Sequence, residues 1–347
     1  ISVIGLLKIG GWGNLVSIVE PTHFNMFLPS DHPDFPWIGM VFAPPIIGIW
    51  YWCTDQYIVQ RVLSAKNVSE ARKGTIFAGY LKLLPIFMFF IPGLIAYAMT
   101  KTGQLSYGSS DQVFPTLVRE LLPSGIRGLV AGGLLAALMS SLSSVFNSCS
   151  TLFTMDIYKK LYPETDEKKL VFVGRIATGI VVLSGILWIP FIKVVSGAGL
   201  YTYLQSVQAY IAPPIASVFL LGLFWSRINA SGALAALVGG FIAGMIRLGL
   251  EIKKSKLTVD GIWYQIADLN FLYFAIFSFL TCVVVLIAVS MLTPPPDLEK
   301  INGLTYDTSK KNISEVDHPK SDKINSYIIL AILALILIYF SPIGIGG

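Results

Sequence analysis

The chain contains eight apolar segments, each close to the roughly 20 residues that an α-helix needs to cross a bilayer. In lipid every backbone polar group must find its partner within the protein, so we expect each segment to be a helix. The sequence therefore predicts an all-α, polytopic membrane protein. The segments are residues 37–59, 76–99, 125–155, 170–192, 199–225, 230–250, 269–292 and 325–341.

The composition supports this prediction. Only 13% of the 347 residues are charged and 54% are hydrophobic, whereas a soluble domain carries about 25% charged residues. So few charges cannot cover a surface that faces water, which argues against a soluble enzyme or a nucleic-acid-binding protein. The three histidines lie in loops without metal-ligand spacing. Neither a Walker A loop nor a GxSxG motif is present, so we expect neither ATP-driven transport nor an enzyme.

Basic residues near the segment ends predict the orientation, because they favour the cytoplasmic side. Fourteen of them fall on one side of the predicted membrane and nine on the other. The richer side includes the hydrophilic linker 294–324, so this side is predicted to be cytoplasmic. Segment 37–59 then runs from outside to inside in a multi-pass protein of the cell (plasma or inner) membrane.

Two proline pairs interrupt the apolar segments, one at Pro44-Pro45 in the first and one at Pro213-Pro214 in the fifth. Proline removes a backbone donor and clashes with the preceding turn. Broken helices of this kind expose backbone groups to ions and substrates in transporters. The alternative is a simple kink, since membrane helices tolerate proline.

Polar side chains within the apolar segments are candidates for a binding site, because burying them in lipid is costly. Tyr51 and Trp52 lie next to hydrogen-bonding groups, an arrangement that suits the apolar faces and hydroxyl edges of a sugar. The alternative explanation for these two aromatic residues is that they belong to an aromatic belt at the membrane–water interface. Lys82 lies inside the second segment, where it could also snorkel to water. Gln205 could reach a polar solute or form a helix–helix hydrogen bond.

The third segment is rich in hydroxyl groups. Ala137, Ser140 and Ser141 lie three and four residues apart and therefore line one face of one helical turn. A sodium ion accepts hydroxyl and carbonyl oxygens as ligands without a full carboxylate. The alternative is close helix packing through small residues, which we favour for residues 143–150.

At these residues the sequence resembles the sodium/glucose cotransporter family of solute:sodium symporters. The matching motifs run in the family's order: WYWCTDQYIVQR at 50–61, GYLKLLP at 79–85, ALMSSLSS at 137–144, FTMDIY at 153–158, LQS at 204–206 and PPIA at 213–216.

The resemblance implies a leucine-transporter-type fold with inverted repeats. Residues 37–225 would be the second repeat of five helices, and 226–347 three accessory C-terminal helices. Residues 1–36 would be the tail of a truncated helix and an extracellular loop. The N-terminal repeat of the same protein would be missing apart from that tail, so we expect the 347-residue chain alone to be inactive.

The resemblance also implies roles for the candidate residues. Tyr51 resembles the aromatic residue that closes the sugar site on the inside, and Trp52, Lys82 and Gln205 resemble sugar-site residues. The carbonyl of Ala137 and the hydroxyls of Ser140 and Ser141 resemble half of a sodium site. Gly48 falls where relatives carry a polar sugar contact.

The function that the resemblance implies is uptake of a sugar, such as glucose or galactose, coupled to inward sodium movement. Sodium would be the coupling ion, the sugar and the lipid bilayer would be partners, and no nucleic acid would be bound. Two alternatives stay open. The first is a sodium symporter of the same fold for an inositol, an organic acid or an amino acid. The second is a membrane sensor that does not transport.

Overall fold

The structure is a computed structural model that describes residues 1–195, 199–309 and 320–347. Within these ranges the secondary structure is helical and contains no strand. Eight helical segments are long and apolar enough to cross a membrane, which confirms the predicted spans. They are Trp37–Thr54, Val68–Lys101, Ser124–Leu161, Glu167–Pro190, Leu200–Phe224, Ala230–Ile252, Phe271–Leu292 and Lys320–Tyr339.

Several spans combine α-helices with π-helical turns. Such turns occur at Trp50–Thr54, Ile86–Phe90 and Leu152–Tyr158. The α-helices are α1 (Ser2–Ile9), α2 (Trp12–Ile18), α3 (Trp37–Ile49), α4 (Gln56–Leu63), α5 (Val68–Leu81), α6 (Ile91–Lys101), α7 (Val113–Leu121), α8 (Ser124–Thr151), α9 (Glu167–Val195), α10 (Leu200–Phe224), α11 (Ala230–Ile252), α12 (Ile262–Asp268), α13 (Phe271–Leu292), α14 (Leu298–Ile301) and α15 (Lys320–Tyr339).

The proline pairs do not break their helices. Pro44 and Pro45 lie inside α3, and Pro213 and Pro214 lie inside α10. Of the two alternatives, a break is therefore not observed at either pair, and both helices continue through their prolines. Neighbouring packing and hydroxyl groups can compensate for the donor that proline lacks.

The helical runs are interrupted elsewhere, just after the first span at Asp55 and within the second span at Lys82. The backbone becomes extended at Asp55, with φ −73° and ψ 115°, between the π-helical turn Trp50–Thr54 and α4. The second span has a turn at Lys82 and the following residue, where α5 ends. Both interruptions adjoin residues that the sequence marks as candidates for substrate binding.

The described chain divides into two compact units. The first consists of residues 1–20 and 83–200, and the second of residues 21–82 and 201–347. In the first unit, α8 is joined to α9 by a hydrogen bond from the Ser150 hydroxyl to the Gly174 carbonyl at 2.8 Å.

The second unit is built on a core that joins α3, α10 and α13. Lipid gives no hydrophobic drive for helix association, so helices in a membrane are held together by close packing. Small side chains allow this close approach. The buried core residues are Ala43, Ile47, Ala209, Tyr210, Ala212, Phe271, Leu272 and Ala275.

Helix α11 packs against the same group of helices through glycines. A Cβ atom at Gly240 would lie 2.6 Å from Cβ of Pro214 and 2.7 Å from Sγ of Cys282, whereas one at Gly239 would meet nothing within 4 Å. Gly240 is therefore required by the close approach of α11 to α10 and α13.

We expect Gly240→Ala to destabilise the protein by about 1–3 kcal/mol, because the added methyl group overpacks this contact. This cost should outweigh the gain in helix propensity of about 1 kcal/mol. Gly239→Ala, which adds the same methyl group in open space, is the matched control. Thermal unfolding in detergent should give a lower midpoint for Gly240→Ala than for Gly239→Ala, and equal midpoints would contradict the packing described here.

A second prediction concerns Glu20, which lies outside the spans in the first unit. Hydrogen bonds from the Lys101 ammonium and then from the Tyr97 hydroxyl lower its pKa from 4.5 to about 2. Because the pKa is lowered on folding, the carboxylate stabilises the unit above pH 4.5 and loses this effect as the pH falls towards 2.

Glu20→Gln should therefore lower the unfolding temperature near neutral pH and have a smaller effect at pH 3. Lys101→Met, which removes the main donor, should reduce the pH dependence in the same way. A difference between wild type and Glu20→Gln that stays constant from pH 6 to pH 3 would contradict this interpretation.

Candidate functional site

The first span ends in a cluster of aromatic side chains. The rings of Tyr51 and Trp52 pack edge to face, with centroids 5.3 Å apart and an interplanar angle of 87°. The hydroxyls of Tyr51 and Tyr57 are hydrogen-bonded at 2.7 Å. Tyr51 is half-buried, whereas Trp52 is 41% exposed. Neighbouring rings thus hold Tyr51 and Trp52 in place, while the side chain of Trp52 stays partly exposed.

Lys82 lies over this cluster. Its Nζ atom is 5.2 Å from the ring centroid of Trp52 and 5.9 Å from that of Tyr51. Both distances fall within the range of cation–π attraction, which is worth about 0.5–2 kcal/mol. The turn that ends α5 at Lys82 therefore holds an ammonium group, with three N–H donors, beside the two rings.

Gln205 lies in α10 of the same unit. It is half-buried, and its amide makes no hydrogen bond to any residue that the structure describes. No ring or polar contact joins it to Tyr51, Trp52 or Lys82 in the described part of the chain. One buried core includes Ala209 of α10 together with Ala43 and Ile47 of α3, the helix that leads to Tyr51 and Trp52.

Gly48 precedes the aromatic cluster by less than one helical turn. A Cβ atom at this position would meet nothing within 4 Å. The helix therefore does not require a glycine here for packing.

The sodium candidates lie in α8 of the first unit. Ala137, Ser140 and Ser141 are all exposed on the surface of that unit. Among the residues that the structure describes, the hydroxyls of Ser140 and Ser141 have no hydrogen-bond partner. By contrast, the hydroxyls of Ser143 and Ser144 donate to the Ser140 carbonyl at 3.0 and 2.9 Å. The two candidate hydroxyls are therefore available to an ion.

Further along the third span, the hydroxyl groups serve helix packing. Ser148 and Thr154 are buried, and Ser150 bonds to Gly174 of α9. These residues behave as the packing alternative predicts. The polar stretch thus has an exposed part around Ser140, whereas Ser148 and Thr154 are buried and Ser150 is half-buried.

Two residues of the second unit were not predicted from the sequence. Tyr57 follows Tyr51 by six residues, a spacing that does not place two side chains on one face of a helix. The bend at Asp55 brings their hydroxyls together. Arg247 was counted among the basic residues of a loop end, yet its side chain is 3% exposed. A lone arginine close to the end of an apolar segment gave no signal of burial.

Comparison with known proteins identifies the family. A sequence model described as "SSF: Sodium:solute symporter family" matches residues 8–240. The mouse sodium/myo-inositol cotransporter 2 is 38% identical over 310 residues, which cover 85% of this chain and 46% of that protein. The sheep sodium/glucose cotransporter 1 is 41% identical over 288 residues, which cover 78% of this chain and 43% of that protein. The chain spans about half the length of the curated relatives it matches.

A solved structure shows the fold. The substrate-bound, outward-open state of a Na⁺-coupled sialic acid symporter matches with a TM-score of 0.62 at 22% sequence identity, covering 85% of this chain and 59% of that one. This likeness confirms the predicted leucine-transporter-type fold. The family match covers more than half of the chain, and the helices supply eight candidate spans. The chain therefore belongs to the sodium:solute symporter family, whose members are multi-pass proteins of the cell membrane.

Proposed function

We propose that the full-length protein is a secondary active transporter that couples inward sodium movement to uptake of a glucose- or galactose-like sugar. The observation that carries this proposal is the cluster of Tyr51, Trp52 and Lys82, in which one ammonium group lies over two aromatic rings and Trp52 is 41% exposed. The membership of the family and the names of the relatives support sodium as the coupling ion.

The cluster suits a polyhydroxylated ring. Such a ring has apolar C–H faces that pack on aromatic side chains and hydroxyl edges that need hydrogen-bond partners. Trp52 offers the exposed ring face, and the Lys82 ammonium offers donors beside it. Gln205 adds an unpaired amide on the neighbouring helix of the core.

A second candidate substrate is myo-inositol, because one of the relatives is named as its cotransporter. Inositol presents the same C–H faces and hydroxyl edges as a hexose, so the cluster accommodates both. The open space at Gly48 also bears on this choice, since no side chain there selects one pattern of hydroxyls.

The sodium ion would be held by oxygen atoms of α8. The hydroxyls of Ser140 and Ser141 face away from the unit without partners, and the carbonyl of Ala137 lies one turn earlier. Three oxygens are too few for a hard cation, so other ligands would come from elsewhere in the full-length protein.

Coupling then follows from linkage. If sodium favours the outward-open conformation that binds substrate, substrate must favour sodium binding by the same factor. Alternating access would carry both inward by moving one helical bundle against the other. In this scheme Tyr51 closes the substrate site on the cytoplasmic side, and its bond to Tyr57 would hold the closed position.

One prediction of the proposed function tests the sodium ligands. Ser140→Ala combined with Ser141→Ala should reduce sodium-dependent uptake by the full-length protein at least 10-fold, because two of the ion's ligands are lost. Ser184→Ala is the matched control, since the Ser184 hydroxyl only bonds within its own helix, to the Ile180 carbonyl. Uptake of labelled glucose and myo-inositol is measured in sodium and in choline medium.

Intact coupling in the double variant would contradict the assignment of these two serines. Wild-type uptake that is unaffected by replacing sodium with choline would contradict the proposed function itself. No uptake of any tested solute would favour the non-transporting sensor.

Another prediction of the proposed function tests the substrate cluster. Lys82→Met keeps the length of the side chain but removes its charge, so it should raise the KM for substrate about 10-fold or more, as expected for a lost charge-assisted hydrogen bond. Lys73→Met, on the same helix, removes a lysine whose ammonium pairs with Glu70 at 2.9 Å on the exposed surface. It should leave KM unchanged.

Competition by unlabelled glucose, galactose, myo-inositol and an amino acid against labelled uptake identifies the substrate. We expect competition by the polyhydroxylated rings. Competition only by the amino acid, or equal KM values for Lys82→Met and Lys73→Met, would contradict the substrate site proposed here.

A further inference from the structure

Arg247 is a buried cation in a membrane-spanning helix, α11. Its side chain is 3% exposed. One nitrogen, Nη2, donates to the Leu269 carbonyl at 2.9 Å, and Nη1 lies 3.9 Å from Oε2 of Glu251. Nε and Nη1 have no hydrogen-bond partner among the residues that the structure describes. Burial of a partly satisfied guanidinium is costly, so a role beyond filling space is expected.

The guanidinium is directed at Tyr210 of α10. Its Cζ atom lies 5.6 Å from the ring centroid of Tyr210 and 5.9 Å from that of Phe274. The two rings pack edge to face, with centroids 5.3 Å apart. The hydroxyl of Tyr210 donates to Oε2 of Glu251 at 2.6 Å. Tyr210 is therefore held both at its ring and at its hydroxyl by α11.

The backbone of α10 is held at the same residue. A Cβ atom at Gly244 of α11 would lie 2.6 Å from the carbonyl oxygen of Tyr210. Because Gly244 lies one turn before Arg247, the two helices meet at Tyr210 through backbone, ring and hydroxyl. This residue, which is 1% exposed, is the point at which α11 sets the position of α10.

The position of α10 in turn determines where Gln205 lies. Gln205 precedes Tyr210 by five residues, about 7.5 Å along the helix axis. Tyr210 also belongs to the buried core that includes Ala43 and Ile47 of α3, the helix that leads to Tyr51. A rotation or shift of α10 at Tyr210 would therefore move Gln205 relative to the aromatic cluster.

We propose that Arg247, together with Glu251, is a positioning residue that acts through Tyr210 to place Gln205 in the substrate site. This inference rests on the proposed function. Arg247 does not bind the substrate in this proposal, because its buried side chain leaves no surface for a ligand. It acts by fixing the rotation and depth of α10.

The test uses the full-length protein and four variants, with initial uptake rates normalised to the amount of transporter in the membrane. Arg247→Met removes the charge and keeps an apolar stem. Tyr210→Phe keeps the ring and removes the hydroxyl that bonds to Glu251, so it serves where Arg247→Met fails to fold. Arg247→Lys is the conservative variant. Lys253→Met, at an exposed position just beyond α11, is the matched control.

We expect Arg247→Met to raise the KM for substrate about 10-fold, and Tyr210→Phe about 3-fold, with the maximum rate and the sodium affinity changed less than 2-fold. Arg247→Lys should recover part of the KM, because its ammonium keeps a charge beside Tyr210. Lys253→Met should behave like wild type. A purely structural role would instead lower the amount of transporter without a selective change in KM.

The decisive comparison repeats Arg247→Met and Tyr210→Phe in a Gln205→Ala background. If Arg247 acts through Gln205, the additional increase in KM should fall below 2-fold in that background. Full additivity, or an unchanged KM in the folded single variants, would overturn the inference.

The failure of this inference can be told apart from failure of the proposed function. Sodium-dependent uptake by wild type with no effect of Gln205→Ala on KM would overturn the inference and leave the proposed function in place. Wild-type uptake that does not depend on sodium would overturn the proposed function and, with it, the inference.

Discussion

A lipid bilayer offers no hydrogen-bond partner to a peptide group, and this constraint governs how the chain can fold. Each of the eight spans is helical because its backbone groups must be paired within the segment. An interruption is costly, so the places where a span is interrupted are informative. The bend at Asp55, just after the first span, and the turn at Lys82, within the second, lie near Tyr51 and Trp52. Lys82 holds its ammonium group over these two aromatic rings.

The core of the second unit explains how substrate candidates on different helices can cooperate. Small residues let α3, α10 and α13 approach closely, and glycines do the same for α11. Tyr210 lies at the centre of this packing, in contact with α11 through its ring, hydroxyl and backbone. In the first unit, the small residues Ser140 and Ser141 lie on an exposed helical turn, and their hydroxyls are not used for packing.

Much of this arrangement could be predicted from the sequence. Hydropathy alone locates all eight spans, because a long apolar run in lipid has few alternatives to a helix. The motifs around Tyr51 and Lys82 mark residues that the structure brings together. The proline pairs show the limit of such patterns. Proline removes one donor, but whether the helix breaks depends on the packing of neighbouring helices, which local sequence does not reveal. Tyr57 and Arg247 were missed for a related reason, since a bend and a buried charge depend on tertiary contacts.

The central claim is that sodium and a polyhydroxylated substrate promote each other's binding. The most direct measurement is equilibrium binding to the purified full-length protein, with labelled substrate titrated in sodium and in choline buffer, and labelled sodium titrated with and without substrate. The account predicts that sodium lowers the substrate Kd by roughly 5–150-fold and that substrate lowers the sodium Kd by the same factor. A substrate Kd that is equal in sodium and choline would contradict it.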